Sequence, residues 1–263
     1  MVGLSRRHYD TATFFPSMSS LFDSVAAAVH LLVGLDPLLW SIVGRSLWVS
    51  LLSTSLACAV GVVLGAWLGV ARFRGRDAVL TVLNTLLALP SVVVGLMVYL
   101  LLSRSGPLGF LGWLFSLKAM VLAQAVLVLP VVTALTRQLV EDAERSHGEQ
   151  LQSLGAGPRL RSVLLAWDER FALLTVVIAA FGRAVSEVGA VMVVGGNIEG
   201  FTRVMTTAIA LETSKGDLPL ALALGLVLMT VVLGLNVLIS LLRRWRQRFE
   251  GAGSEPLRVE GMA

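Results

Sequence analysis

Several apolar runs in this chain exceed the ~18–20 residues that a helix needs to cross a bilayer. Runs of that length leave few folding options. In lipid every backbone N–H and C=O must find a partner within the protein, so only helices and closed barrels span. The runs are continuous rather than alternating, which excludes a barrel. Charge content agrees: 14% of the 263 residues are charged and 56% are hydrophobic, against ~25% charged in soluble domains. The expected fold is all-α, a polytopic helical membrane protein with five transmembrane helices.

The expected spans are 47–70, 79–102, 115–135, 171–194 and 218–242. Residues 1–45 then form an N-terminal segment, 46–245 the membrane domain and 246–263 a cytoplasmic tail, with a polar loop at about 138–170. Arg72, Arg74 and Arg76 follow the first span. Arg137, Arg145, Arg159, Arg161 and Arg170 lie between the third and fourth, and Arg243, Arg244, Arg246 and Arg248 follow the fifth. All three clusters share one side when the N-terminus is outside, and the positive-inside rule makes that side cytoplasmic. The segment 21–35 is apolar but carries Asp23 and His30, with Asp36 just beyond. It is too short to span and reads as an amphipathic helix on the outer membrane face. The competing reading, a sixth span within 21–44, would turn Arg6 and Arg7 inward. Those arginines are not followed directly by an apolar core, so no cleaved signal is read. The single cysteine, Cys58, supports neither a disulfide framework nor a thiolate metal site.

Small residues recur every four positions at Ala57, Gly61, Gly65 and Gly69, and again at Gly182, Ser186 and Ala190. Such rows let helix backbones approach closely in lipid. The first row fits either a contact within the chain or a seam between two copies. Pro90 and Pro130 fall inside expected spans, where each removes a backbone donor.

The polar stretch 146–156 lies in the longest basic loop. Ser146 and Glu149 have capping-box spacing, so a helix could start there. Gly155 suits a left-handed C-cap, and Pro158 suits the first turn of a following helix. The helix so bounded has about two turns, and helices this short are marginal alone in water. It reads either as a docking element stabilised by a partner's groove or as an ordinary surface helix–turn–helix.

Arg183 and Glu187 fall deep in the fourth expected span, four residues apart and so on one helix face. A charge near a span's centre costs ~2.5–3.5 kcal/mol on insertion scales. Intramembrane charges usually face a bundle interior or aqueous path. The pair is therefore either part of a pathway or gate, or a structural ion pair. The following stretch 195–213 has turn-forming glycines, then helix-like apolar content too short to span. It reads as an outward-facing segment that contacts a soluble partner or caps an opening.

At these residues a resemblance becomes specific. Glu149-Gln-Leu-Gln-Ser-Leu-Gly155-Ala156 is similar to the cytoplasmic Glu-Ala-Ala motif of the membrane permeases of binding-protein-dependent ABC importers. Gln150 and Leu151 replace the two alanines, and Trp167-Asp168 stands where Leu-Pro is expected. The stretches 181–200 and 206–217 more narrowly resemble permeases of tungstate-type oxyanion importers. The resemblance covers most of 47–242. It implies a homodimer of this chain, two cytoplasmic ABC ATPase subunits and an extracytoplasmic oxyanion-binding protein, in a prokaryotic inner membrane. It implies that Glu149, Ser153, Leu154, Gly155, Ala156 and Arg159 couple to the ATPase. Arg183, Ser186 and Glu187 would line the translocation pathway, and Asn197, Thr206 and Glu212 would face the binding protein. The cargo would be tungstate or molybdate, with sulfate or phosphate as alternatives. The chain has no Gly-x-x-x-x-Gly-Lys-Ser/Thr run, so the cofactor ATP-Mg would be bound and hydrolysed by the partner. No cofactor, metal or catalytic site is expected in this chain. A stand-alone ion-coupled transporter is the reading from a different class; the scattered His8, His30 and His147 give a membrane enzyme no support.

Overall fold

The computed structural model describes residues 18–252, with side chains from 25 to 245. Arg6, Arg7, the side chains of Arg246 and Arg248, and most of the expected tail lie outside the described residues. All regular structure among the described residues is helical. The order is α1 (Met18–Val33), α2 (Pro37–Val70), α3 (Arg76–Leu87), α4 (Ser91–Leu102), α5 (Leu117–Ser153), α6 (Pro158–Asp168), α7 (Arg170–Val185), α8 (Gly189–Gly195), α9 (Met205–Lys215) and α10 (Leu218–Ala252). A short 3-10 turn at Gly109–Leu111 lies before α5.

Three of these helices, α2, α5 and α10, are long and apolar enough to cross a membrane. Two bent pairs also qualify when each is taken as one span, which brings the number to five. The expected span 79–102 is α3 and α4, bent by 100° at Ala88–Pro90, and the expected span 171–194 is α7 and α8, bent by 57°. Pro90 explains the first break: it lacks a backbone donor and disfavours helix in the residue before it. Pro130, by contrast, sits inside an unbroken α5.

α2 starts at Pro37 rather than near residue 47, so the boundary expected after residue 45 falls within a continuous helix. The start is specified locally. The Asp36 carboxylate accepts from the Leu39 amide at 3.0 Å, and Pro37 occupies the first turn, where its missing N–H costs nothing. α1 has 16 residues and is not among the helices long and apolar enough to span. Its Ala28 packs with Leu39, Ala223 and Leu224 in one buried cluster, joining α1 to α2 and α10.

The centre of the fold is the packing of α2 on α5. A Cβ added at Gly61 would meet Val132 at 2.9 Å, one at Gly65 the Thr133 carbonyl at 2.6 Å, and one at Gly69 Val140 at 3.0 Å. The glycine row is thus a contact within the chain, and any side chain larger than hydrogen would force the two backbones apart.

Contacts gather the basic residues at one end. Arg76 at the start of α3 reaches Glu141 on α5 at 3.2 Å. Arg161 on α6 reaches Glu144 at 3.0 Å. Phe171 at the start of α7 meets Trp245 on α10 edge to face, ring centroids 5.5 Å apart. At the opposite end Leu102 of α4, Met120 of α5 and Val194 of α8 share one buried cluster, and the Phe115 amide donates to the Val194 carbonyl at 3.0 Å.

Candidate functional site

Three places carry the candidate residues: an elbow at the basic end, the break between α7 and α8, and the loop and helix that follow α8.

The elbow differs from the expectation at its start and agrees at its close. No helix begins at Ser146. α5 runs unbroken to Ser153, and the Ser146 hydroxyl donates to the Asp142 carbonyl one turn back at 3.2 Å. The capping box fails because Val140 and Ala143 are buried with Ala66, Val70 and Leu165; that packing carries the helix past the apolar run. The C-terminus closes as expected. Gly155 has φ +80°, its amide donates to the Gln152 carbonyl at 2.9 Å, and the Ala156 amide donates to the Leu151 carbonyl at 3.0 Å. These are the paired bonds of a Schellman motif. Pro158 then opens α6. Glu149, Ser153, Gly155 and Arg159 are exposed and Ala156 is half-buried. Leu154 at the tip is 82% exposed.

Beneath the elbow lies a charge cluster that the sequence reading did not single out. The Glu141 carboxylate accepts from Arg76, Arg137 and Arg145. Burial pushes this carboxyl's pKa up, but the guanidiniums of Arg76 and Arg137 outweigh it and hold it below the ordinary glutamate value. With Arg161–Glu144, the cluster ties α3, α5 and α6 into one unit. Glu141 could have been found as an acid four residues from arginines on both sides, at helix spacing.

At the second place α7 ends at Val185 and α8 begins at Gly189. Arg183 and Glu187 form the expected pair, Nη1 to Oε2 at 2.7 Å. The two ends differ in environment: the Arg183 side chain is 47% exposed and that of Glu187 only 4%. The other Glu187 oxygen accepts from the Ala190 amide at 3.3 Å, on the first turn of α8. The carboxylate thus links the last turn of α7 to the first turn of α8. Ser186 is exposed, its hydroxyl donating to the Gly182 carbonyl at 3.0 Å.

A helix break frees carbonyls that must be satisfied. The Gln124 amide, buried near the start of α5, donates to the Ala184 carbonyl at 3.0 Å. Its own oxygen accepts from Ser53 of α2 at 2.9 Å. This clasp joins α2, α5 and α7 at the hinge. Gln124 was missed although a lone glutamine in an apolar span is itself a signal.

On the α7 face that carries Arg183 and Ser186, residues Ala172, Thr175 and Ala179 point the same way by helical spacing. These three line a cleft of about 380 Å³ between α5, α7 and α10, with Gln138, Asp142 and Arg243 also on its wall. One face of α7 thus runs from a cleft at the basic end to the half-exposed guanidinium at the hinge.

At the third place Asn197 donates to the Thr207 carbonyl at 3.2 Å. Thr206 is buried and donates to the Glu187 carbonyl at 2.7 Å. Glu212 is buried and pairs with Arg203 at 3.5 Å and Lys215 at 3.1 Å. Arg45 of α2 donates to the carbonyls of Arg203 and Gly200, both at 3.0 Å. The expected docking residues therefore shape this surface from beneath, while Ile198, Glu199 and Phe201 are exposed on it. Thr206 also fastens α9 to the hinge.

Comparisons with known proteins identify relatives of this chain. Residues 61–248 match the family described as binding-protein-dependent transport system inner membrane component. The chain is 42% identical over 226 residues to the tungstate uptake system permease protein TupB of Peptoclostridium acidaminophilum, covering 84% of this chain and 97% of that protein. It is 40% identical over 224 residues to the protein of the same name from Campylobacter jejuni, covering 85% and 94%. A probable anion ABC transporter permease protein of Haloferax volcanii is 39% identical over 216 residues, covering 80% and 92%. Apolar helices of spanning length, a polar elbow at a basic end and near-full-length likeness to transport permeases lead to one statement: this chain belongs to the family of binding-protein-dependent transport system inner membrane components.

Proposed function

We propose that this chain is the membrane permease of an ATP-driven importer that moves tungstate, or the nearly isosteric molybdate, into the cell. Two relatives that match nearly end to end carry tungstate uptake in their names, and that observation carries the choice of cargo. The working unit is a pair of these chains, two cytoplasmic ATPase subunits that bind ATP-Mg, and an extracytoplasmic oxyanion-binding protein. α2, α3–α4, α5, α7–α8 and α10 are its five passages through the bilayer. The N-terminus lies outside, and the basic end faces the cytoplasm by the positive-inside rule.

The elbow at Glu149, Ser153, Leu154, Gly155, Ala156 and Arg159 docks on the ATPase. Its outermost apolar group is Leu154, and the Gly155 turn holds the end of α5 at a defined angle to α6. Closure of the ATPase pair pushes on this elbow. The Glu141 cluster stiffens its base, so the push reaches α3 and α5 instead of being lost in local bending.

The pathway follows the α7 face from the basic-end cleft to Arg183, Ser186 and Glu187. Nη1 of Arg183 is held by Glu187, and the exposed remainder of the guanidinium can donate to a tetrahedral dianion. The adjacent carboxylate keeps the site from becoming a deep well. Weak, transient attraction suits a passage, because cargo held tightly midway leaves slowly. The loop 196–204 and α9, framed by Asn197, Thr206 and Glu212, present the surface to the binding protein.

Affinity capture of the solubilised chain, followed by identification of co-purifying subunits, tests the assembly. An ABC ATPase and an oxyanion-binding protein are expected; a chain recovered alone under conditions that preserve known importers contradicts the proposal.

A further inference from the structure

A second groove lies on the other side of α7, away from the hinge stripe. Three helix faces converge on it. α2 contributes Val63 and Trp67, α6 contributes Val163 and Trp167, and α7 contributes Leu174 and Val177; the groove is open and its volume is about 730 Å³. The floor is almost wholly apolar. Val63 on its wall continues into an apolar face of α2 on which Leu56 and Val60 are also exposed. α6 is fixed beside α2 by the buried contact of Leu165 with Ala66 and Val70, so the groove is a built feature of the fold.

Its basic-end rim is positive. Arg159 and Arg170 line the groove. Arg72 lines a depression that continues it past Trp67 and Phe73, two rings stacked 5.2 Å apart. Among the described ion pairs none includes Arg72, Arg159 or Arg170. Arg170 is oriented by its bond to the Trp167 carbonyl at 3.1 Å and by the Phe171 ring 4.8 Å away, which leaves other N–H groups free to donate.

We infer that this groove binds an anionic phospholipid, its acyl chain between α2 and α7 and its phosphate at Arg72 and Arg170. Basic pockets between transmembrane helices on the cytoplasmic side take anionic headgroups. Tryptophans at such a rim sit at headgroup level, with apolar rings toward the chains and N–H groups toward the phosphates. A soluble ATPase does not reach the part of the floor that α2 and α7 form within the bilayer. A two-fold seam centred here would set the same arginines of two copies against each other. The inference requires that the chain span a membrane. It is independent of the cargo and of the elbow's partner.

The test is tryptophan quenching in the intact importer, reconstituted in phosphatidylcholine nanodiscs with a small share of brominated phosphatidylglycerol. Quenching should saturate at a several-fold lower mole fraction than with brominated phosphatidylcholine. Trp67→Phe/Trp167→Phe should remove that saturable component. Arg72→Gln/Arg170→Gln should raise the half-saturating fraction at least about fivefold, and Val163→Phe, which narrows the groove without touching charge, should raise it too. Equal quenching by both lipids overturns the inference, as does an unchanged response in the arginine variant. Competition by soluble glycerol phosphate at millimolar concentration also overturns it, because the site would then be for a free anion. Quenching seen for the permease alone but absent in the complex assigns the groove to a protein partner and overturns it as well.

Discussion

At the scale of single residues, the candidate groups have ends that meet different surroundings. Arg183 is half-exposed while its partner Glu187 is buried and caps α8. If Arg183 serves the passage, Arg183→Leu lowers uptake more than it lowers the amount of assembled complex, although it leaves the buried Glu187 carboxylate without its partner. Uptake should fall by about tenfold or more, ~1.4 kcal/mol. Quantifying complex by gel filtration and uptake in the same vesicles separates the two, and equal losses would make the pair structural. Glu141 gives a pH test. Its native pKa lies below the unfolded value near 4.5. The stability it contributes is therefore fully present above that value and is lost as pH falls through the lower native one. Thermal unfolding midpoints of the complex should drop on acidification below about pH 4.5 more steeply in wild type than in Glu141→Gln. Identical slopes in the two would show that the Arg76–Glu141–Arg137 cluster does not contribute in this way. The Arg183–Glu187 pairing was legible from spacing alone. The buried Glu187–Ala190 and Gln124–Ala184 bonds were not, because both depend on a helix break that hydropathy cannot show.

At the scale of elements, the close of the elbow was legible and its beginning was not. Gly155 and Pro158 are local signals, set by φ and by a missing N–H, so they survive any tertiary context. Ser146 and Glu149 signal a helix start only weakly, and the buried stripe through Val140 and Ala143 overrode them. The same contrast holds for the bends. Pro90 lies inside one expected span, and it marks the α3–α4 break while Pro130 breaks nothing; Ser186–Val188 holds no proline and gives no local sign of a break. Gly155→Pro removes the amide bond to Gln152 and forbids φ near +80°. The chain should still insert, but stimulation of ATP hydrolysis by loaded binding protein should be lost in reconstituted complexes. Unchanged stimulation would count against a docking role for the elbow. Gly65→Val puts its Cβ within 2.6 Å of the Thr133 backbone oxygen, which cannot rotate away. Overpacking of this kind costs about 1–3 kcal/mol. The yield of folded chain after detergent extraction should fall well below that of Gly44→Val, whose Cβ meets nothing within 4 Å.

At the scale of the whole molecule, two ends and one hinge are joined through α5 and α7. α5 reaches from the Phe115–Val194 contact at one end to the elbow at the other. Near its start Gln124 clasps α2 and α7, and toward the basic end Glu141 clasps α3. A displacement at the elbow therefore has a rigid route to the α7–α8 break. The most direct measurement is tungstate uptake into vesicles holding the reconstituted complex, with ATP on the ATPase side and binding protein on the other. The expected result is uptake that requires ATP hydrolysis, the binding protein and this chain together. Uptake by this chain alone, indifferent to ATP, would contradict it and favour an ion-coupled transporter.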